Sequence, residues 1–338
     1  MKFPNTVDIT NARQYGKAVD LTLERDVETL QHGQIYLAND DRFTQGTYSQ
    51  PLTTFAVGGW GNTGLEQELQ LYTGTPIQVP RRFSYKVWAN AEALRSDTTE
   101  DVRAIGGDFK EVNLTSTEVN AKVVNRGLIM ALDKDEVADG VITEQMAVQY
   151  LTSRIKLNQL RRASALLIAA ATNTARTWLS GTRDADLDEV TAIHAYHTAT
   201  GVYPNTVAYG KTAWLGRLTT MRALATAAGF ASSSWSETEL AAFLGVDTVG
   251  RVTAAYQSAS ATKTVVGASI VLTYLRSMSG MREDPSNLKY FWAPTDMGGG
   301  PVAAFRYEVG SKKIVVGVQH NELLAITYSG GIQTLTIS

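Results

Sequence analysis

The sequence contains no cysteine. That excludes disulfide staples, thiolate metal sites and cysteine nucleophiles together. It also lacks a positive surplus: 31 Lys and Arg stand against 33 Asp and Glu, a formal net charge of -2. A protein that grips nucleic acid through its phosphates usually carries a basic excess, so a dedicated nucleic-acid binder is not expected. Long apolar runs are missing. The longest one near the middle, Ala165 to Ala171, falls far short of the ~20 residues a membrane span needs. The opening Met1-Lys2-Phe3-Pro4-Asn5 has no apolar signal-peptide core, so the expectation is a soluble chain in the cytoplasm. Charged residues make up only 19%, but the hydrophobic fraction of 44% is ordinary and rules out wholesale disorder. At 338 residues, roughly two domains are expected.

Neither an internal repeat of solenoid length nor a low-complexity tract is present. A polar segment from Thr10 to Gln31 has weak helical spacing. Asn39 to Gly64, rich in Gly, Thr, Ser and Gln, reads as irregular chain, which a compact domain seldom tolerates unless it lies against something else. Arg82-Phe83-Ser84-Tyr85-Lys86-Val87-Trp88 alternates apolar and polar side chains, the period of a strand, and Val112 to Leu132 again favours strands. Between them Glu92 to Glu111 carries the acids Glu92, Asp97, Glu100, Asp101, Asp108 and Glu111 and the bases Arg95, Arg103 and Lys110. Two strands joined by so charged an excursion predict an extended β-arm.

The strongest element follows. Thr143 suits an N-cap, Glu144 suits the positive helix end, and no Gly or Pro interrupts the chain to Thr172. The stripe Met146, Tyr150, Leu157, Leu160 and Leu167, flanked by Ala147, Leu151 and Ile155, predicts a spine helix over 143–172, about 45 Å long. Further on, Asp186 to Thr200 reads as a helix ended by Gly201, with Leu187, Val190 and Ile193 inward. Thr206 to Tyr209 reads as a strand and Thr212 to Leu224 as a helix. Ser236-Glu237-Thr238-Glu239 is a capping box for a helix that stops at Gly245. Val249 to Tyr256 and the nearly charge-free Thr264 to Leu275 read as strands, and the tail as four more: Val302–Val309, Lys312–His320, Leu323–Tyr328 and Ile332–Ile337. The class is α+β without regular βαβ alternation.

Candidate chemistry is sparse. Gly59-Trp60-Gly61-Asn62-Thr63-Gly64 fits a dinucleotide-binding string, but no strand precedes it and no acid stands about 20 residues on, so a flexible loop is the better reading. Gly210-Lys211-Thr212 resembles the end of a phosphate-binding loop. Its first glycine position is Asn205, so Gly210 is read as ending a strand and Thr212 as capping a helix. His194 and His197 share a helical face, but no third ligand has a metal-site spacing. Glu100-Asp101 is a consecutive pair on a charged loop, not an acid/base dyad. No catalytic residue, cofactor site or metal site emerges.

An irregular N-terminal arm, a charged β-arm, a long spine helix and a following α/β block form an order that resembles the major capsid proteins of tailed bacteriophages, with the Hong Kong 97-type shell fold. Asn125-Arg126-Gly127-Leu128 leading into the spine, and Thr200-Gly201-Val202-Tyr203-Pro204-Asn205-Thr206-Val207, are similar to short stretches of that family. The resemblance covers nearly the whole chain in architecture. It implies an N-terminal arm and connecting segment over 1–80, an extended loop over 81–124, a peripheral domain from 125–180 with 301–338, and an apical domain over 181–300. It implies a non-enzymatic subunit that assembles with itself as hexamers and pentamers into an icosahedral shell around viral dsDNA. A portal protein and a separate scaffolding protein are the further partners implied, with no membrane. Inter-subunit contacts are then expected on the extended loop, at Arg82, Trp88, Glu92, Arg95, Asp97, Glu100, Asp101, Arg103, Asp108 and Lys110. An encapsulin-like compartment is the alternative within that fold. A nucleotide-binding enzyme using Gly59–Gly64 is the alternative outside it.

Overall fold

The computed structural model describes residues 48–60, 64–88, 103, 105–108, 116–179, 183–224, 231–257, 263–277, 284, 286–295 and 299–338. Helices α1 (Gln50–Trp60) and α2 (Gly64–Thr73) come first, then the short β1 (Ile77–Gln78) and the paired β2 (Arg82–Trp88) and β3 (Ser116–Lys122). Strand β4 (Val124–Asp133) leads through α3 (Lys134–Ala138) into the spine α4 (Glu144–Ala170). Then come β5 (Thr172–Arg176), α5 (Ala185–Thr200), β6 (Thr206–Gly210), α6 (Lys211–Ala223), α7 (Glu237–Leu244) and β7 (Thr248–Val252). Strands β8 (Ala255–Gln257), β9 (Lys263–Val265), β10 (Ile270–Tyr274), β11 (Leu288–Ala293), β12 (Val302–Val309), β13 (Lys313–Ile326) and β14 (Gln333–Ile337) complete the order. The mixture is α+β, and β6 and β7 make a parallel pair across α6 and α7.

Two five-stranded sheets carry the molecule. The first is organised around β13. One side of β13 pairs antiparallel with β4 from Lys313 to Glu322. Its other side meets β12 from Lys313 to His320 and then β11 from Asn321 to Ile326, with β1 beyond β11. The sequence predicts a break near Asn321-Glu322, because two polar residues interrupt the apolar alternation. The structure has a single strand there, since both side chains find partners. Asn321 donates to the Pro294 carbonyl at 3.1 Å, and Glu322 takes cations from two other elements.

The second sheet has the order β5-β14-β10-β6-β7, so the tail strand β14 lies between β5 and β10. Its core joins α5, α6 and α7 to the sheet through Trp178, Ile193, Val207, Tyr209, Leu240, Val271 and Leu335. The spine serves both sheets. Ala147, Val148, Leu151 and Ile155 pack on Leu132, Val302, Val316 and Val318 of the first sheet. Leu160, Ala163 and Leu167 pack with Leu272, Tyr274 and Val252 of the second. Each buried Leu or Val contributes roughly 1.5–3 kcal/mol, so this face fixes the helix far more firmly than intrinsic propensity does.

Thr143 caps the spine through its side chain, 3.2 Å from the Met146 N–H, as its position predicts. Leu160 and Leu167 of the predicted stripe are buried, but in the first turns the buried face is rotated from it. Met146 and Tyr150 are 57% and 53% exposed, while Ala147, Val148, Leu151 and Ile155 are buried. The small side chain of Ala147 lets the spine approach the sheet, a preference that hydrophobicity alone ranks below Met or Tyr.

Other expectations shift for local reasons. Within the irregular stretch predicted over Asn39–Gly64, residues 50–60 form α1, packed by Leu52, Ala56 and Trp60 against the first sheet. In α5 the inward residues are Ala185, Ala192, Ile193 and Tyr196, whereas Leu187 is exposed. Gly201 and Gly245 end α5 and α7 at φ of 71° and 69°, the left-handed conformation that favours glycine. The capping box at Ser236 and Glu239 is present. The predicted strand Val249–Tyr256 is split because the Glu68 carboxylate accepts from the Thr253 N–H at 3.0 Å and the Ala254 N–H at 3.1 Å. A turn at 266–269 splits the next one into β9 and β10. The predicted helix over Thr10–Gln31 lies outside the described residues.

Candidate assembly surface

Strands β2 and β3 form a two-stranded ribbon. Arg82 stands opposite Lys122, Ser84 opposite Asn120, Lys86 opposite Glu118 and Trp88 opposite Ser116. On its other face Phe83 and Tyr85 pack on Phe291, with ring centroids 4.8 and 5.5 Å apart, which seats the ribbon on the first sheet. The Trp88 N–H donates to the Thr327 carbonyl at 3.0 Å. Trp88 is only 8% exposed. Within its own chain the side chain is thus buried, and the strand's alternation alone does not reveal that burial.

Arg82 is exposed at the foot of the ribbon, and Arg103 and Asp108 are exposed in the loop beyond it. Ile105, between those two, is fully exposed, beside Gly106 at φ 83°. Glu92, Arg95, Asp97, Glu100, Asp101 and Lys110 lie outside the described residues.

Beneath the ribbon, a buried charged network joins the spine, α2, β4 and β13. Glu322, 2% exposed, pairs with Arg162, with Arg126 at 3.0 Å and with the Gln159 amide at 2.5 Å. Burial by itself would raise the Glu322 carboxyl; contact with His320, the charge of Arg162 and the Gln159 amide outweigh it and hold the group at about 2. His320 is also buried, its Nε2 3.3 Å from Glu322 and its ring 5.4 Å from Trp60. Burial depresses its basicity despite the neighbouring carboxylate. Lys156 pairs with Glu66 and sits 3.8 Å over the Trp60 ring. Glycines and hydrophobic periodicity give no signal for this network. Lys156 and Arg162 stand on the spine and Glu322 on β13, far apart in sequence, and only the tertiary fold brings them together.

The sites considered for small-molecule chemistry have other occupations. Gly59 and Trp60 belong to α1, and Gly61 to Thr63 lie outside the described residues. The string therefore begins in a helix instead of following a strand, and the proposed flexible loop is corrected for Gly59 and Trp60. At Gly210 the helix N-terminus is met by backbone: Thr212 and Ala213 donate to the Ala268 carbonyl at 2.8 and 3.0 Å. A Cβ on Gly210 would stand 1.8 Å from the Gly267 oxygen. The amides that would cradle a phosphate are thus taken, and the cap is Ala268, not the Thr212 side chain. His194 is exposed and His197 stacks on Tyr203 at 4.3 Å. Among the described residues no group of three metal-ligating side chains gathers, and no helix is long and apolar enough to cross a membrane.

No family model matches the chain, and no curated protein matches it in sequence. Its fold, in contrast, has clear relatives among solved structures. A phage-related protein from Bordetella bronchiseptica RB50 matches with a TM-score of 0.62 at 16% identity, over 86% of this chain and 96% of that one. A virus-like particle from Pyrococcus furiosus matches with a TM-score of 0.50 at 9% identity, over 85% of this chain and 98% of that one. The likeness is one of fold: this chain shares its architecture with that phage-related protein and with that virus-like particle.

Proposed function

We propose that this chain is the major capsid protein of a tailed phage, with a Hong Kong 97-like fold, and that it assembles with itself into the icosahedral head shell. The observation that carries this reading is the near end-to-end match in fold to the phage-related protein from Bordetella bronchiseptica, supported by the match to the virus-like particle from Pyrococcus furiosus. A ribbon seated on one sheet and a spine shared between two sheets supply the rigid frame that many repeated weak contacts need to close a shell. The sheet around β13 with the first half of the spine is the peripheral domain, which adds β11 to the expected 125–180 and 301–338; the sheet around β10 with α5, α6 and α7 is the apical domain, which adds β5 and β14 to the expected 181–300; and 81–124 is the extended loop. Hexamers and pentamers are the assembly units. Portal and scaffolding proteins are the partners, the shell encloses dsDNA without sequence-specific contacts, and assembly occurs in the host cytoplasm before residence in the virion. The role is structural and not enzymatic.

Negative-stain electron microscopy of the purified protein, beside light scattering of the eluting species, tests this reading. Closed shells, or rings of five or six subunits, are expected. A monomer or dimer that persists across salt and concentration overturns it. Nucleic acid inside particles from the native host supports the phage head, whereas a co-purified cargo enzyme would move the assignment to an encapsulin-like compartment.

A further inference from the structure

Strand β4 has one partner, β13, and among the described residues no strand pairs with its outer edge. Its register with β13 runs unbroken from Val124 to Asp133, without a bulge, and the segment has no proline. Natural edge strands of this length are usually blunted by proline, bulges or outward lysines, because a bare row of N–H and C=O groups recruits another strand. Here the only cation within β4, Arg126, is turned to Glu322 at 3.0 Å. The solvent-facing row contains Ile129, 59% exposed, next to the exposed Gly127 and Ala131.

The two ends of this edge carry opposite charge. At its start Arg82 and Lys122 stand directly opposite one another in the ribbon, both exposed, and neither has an ion-pair partner among the described residues. Like charges placed directly across a strand pair are unfavourable unless something negative approaches them. At its far end Asp133, Asp135, Glu136 and Asp139 are exposed around α3, and among the described residues only Asp135 has a cation, Lys312 at 3.2 Å. Ten residues of strand place these ends about 30 Å apart in one chain, too far to satisfy each other.

We propose that the outer edge of β4 pairs antiparallel with β4 of a second copy about a two-fold axis at Ile129. This inference rests on the shell reading and names one contact within it. The dyad sets Ile129 beside its symmetry mate and Asn125 opposite Asp133. Beyond the two strand ends, Lys122 with Arg82 beside it approaches the acidic α3 of the other copy, where Glu136 and Asp139 are exposed, and the symmetry repeats that match at the opposite end. An isologous contact of this kind is self-limiting and links two capsomers without opening a filament.

The cysteine-free chain makes the test direct. Paired residues on adjacent antiparallel strands have Cα atoms about 4.5–5.5 Å apart, within disulfide range. Ile129→Cys under mild oxidation is expected to yield a disulfide-linked dimer on a non-reducing gel. Ala131→Cys, whose two copies would stand about 13 Å apart along the strands, is expected to remain monomeric on the same gel. Lys122→Glu should lose the dimer band from an Ile129→Cys background, and adding Glu136→Lys should restore it. Circular dichroism of each variant monitors folding, and because the substituted side chains are exposed, the core is left intact. Shells by microscopy with no Ile129→Cys dimer overturn the inference, leave the shell reading standing, and give the edge to a different segment. A dimer without shells keeps the inference and overturns the shell reading. Equal crosslinking of Ile129→Cys and Ala131→Cys overturns the proposed register and with it the inference.

Discussion

Lys156 on the spine and Glu66 on α2 form an ion pair in which the lysine side chain is completely buried and the carboxylate nearly so. Burial draws the lysine's proton affinity down, and the charge and hydrogen bond of Glu66 oppose that shift. Removing one partner strands the other in a poor solvent. Lys156→Met is therefore expected to destabilise the fold by about 3–5 kcal/mol, whereas Lys156→Met with Glu66→Leu should cost far less. Urea unfolding of the two single variants and the double variant measures the coupling. Additive losses would show that the pair does not hold α2 to the spine.

Acid should weaken the fold in two stages. Folded His320 binds its proton below the ordinary 6.5, and folded Glu322 only near 2 against an ordinary 4.5. The unfolded chain therefore takes up protons first, so stability present above pH 6.5 falls as the pH drops below that value. It falls again between 4.5 and about 2. Unfolding midpoints at pH 7, 5 and 3 follow the decline. Glu322→Gln should be less stable than the parent at pH 7 and should lose the second stage. An unchanged slope below pH 4.5 would place the acid response elsewhere.

Glu189 runs the other way. It is fully buried on α5, both carboxylate oxygens lack a hydrogen-bond partner, and burial, with the charge of Asp186, raises it to about 8. The folded chain keeps this proton after the unfolded chain has released it near 4.5. The stability Glu189 contributes is thus fully present below pH 4.5 and is lost as the pH rises to about 8. Glu189→Gln should raise the melting temperature at pH 8 and leave it nearly unchanged at pH 4. A variant equally shifted at both values would refute the titration.

Gly317, in β13, lies directly under the Phe305 ring of β12. A Cβ there would meet Phe305 Cζ at 2.1 Å. Gly317→Ala is expected to cost roughly 1–3 kcal/mol through overpacking. Combining it with Phe305→Leu should recover part of the loss in thermal unfolding. No recovery would mean that the backbone at Gly317, not the ring, sets the requirement.

Asn287 joins the two sheets. It accepts from the Leu275 N–H at 2.6 Å and from the Tyr196 hydroxyl at 3.1 Å, and donates to the Tyr328 carbonyl at 2.8 Å and the Gly330 carbonyl at 3.2 Å. Asn287→Leu leaves several buried polar groups without partners, each costing about 1–3 kcal/mol. Hydrogen exchange should then quicken at Leu275, whose N–H loses its acceptor, and at Thr327, whose N–H donates to the Asn287 carbonyl at 3.0 Å. Faster exchange at only one of them would argue against a joint that couples the sheets.

The sequence by itself determined the elements whose signals are local. Thr143 and the uninterrupted run behind it specify where the spine begins, Gly201 and Gly245 where two helices end, and Ser236 with Glu239 a capping box, because caps and turns are settled by neighbours a few residues away. The strand periods of 82–88 and 302–309 were legible for the same reason. What only the tertiary structure decided were properties created by residues far apart in the chain. Asn321 and Glu322 look like a break until Pro294, Arg126 and Arg162 arrive to satisfy them. Met146 and Tyr150 look like core until the sheet selects Ala147, Val148 and Leu151. Trp88 has only its alternation in the sequence, and the fold decides that it is 8% exposed with its backbone N–H tied to Thr327. The exposed edge of β4 and the charges at its two ends belong to this second kind: pairing with β13 decides which edge is left open, and only register sets Arg82 against Lys122.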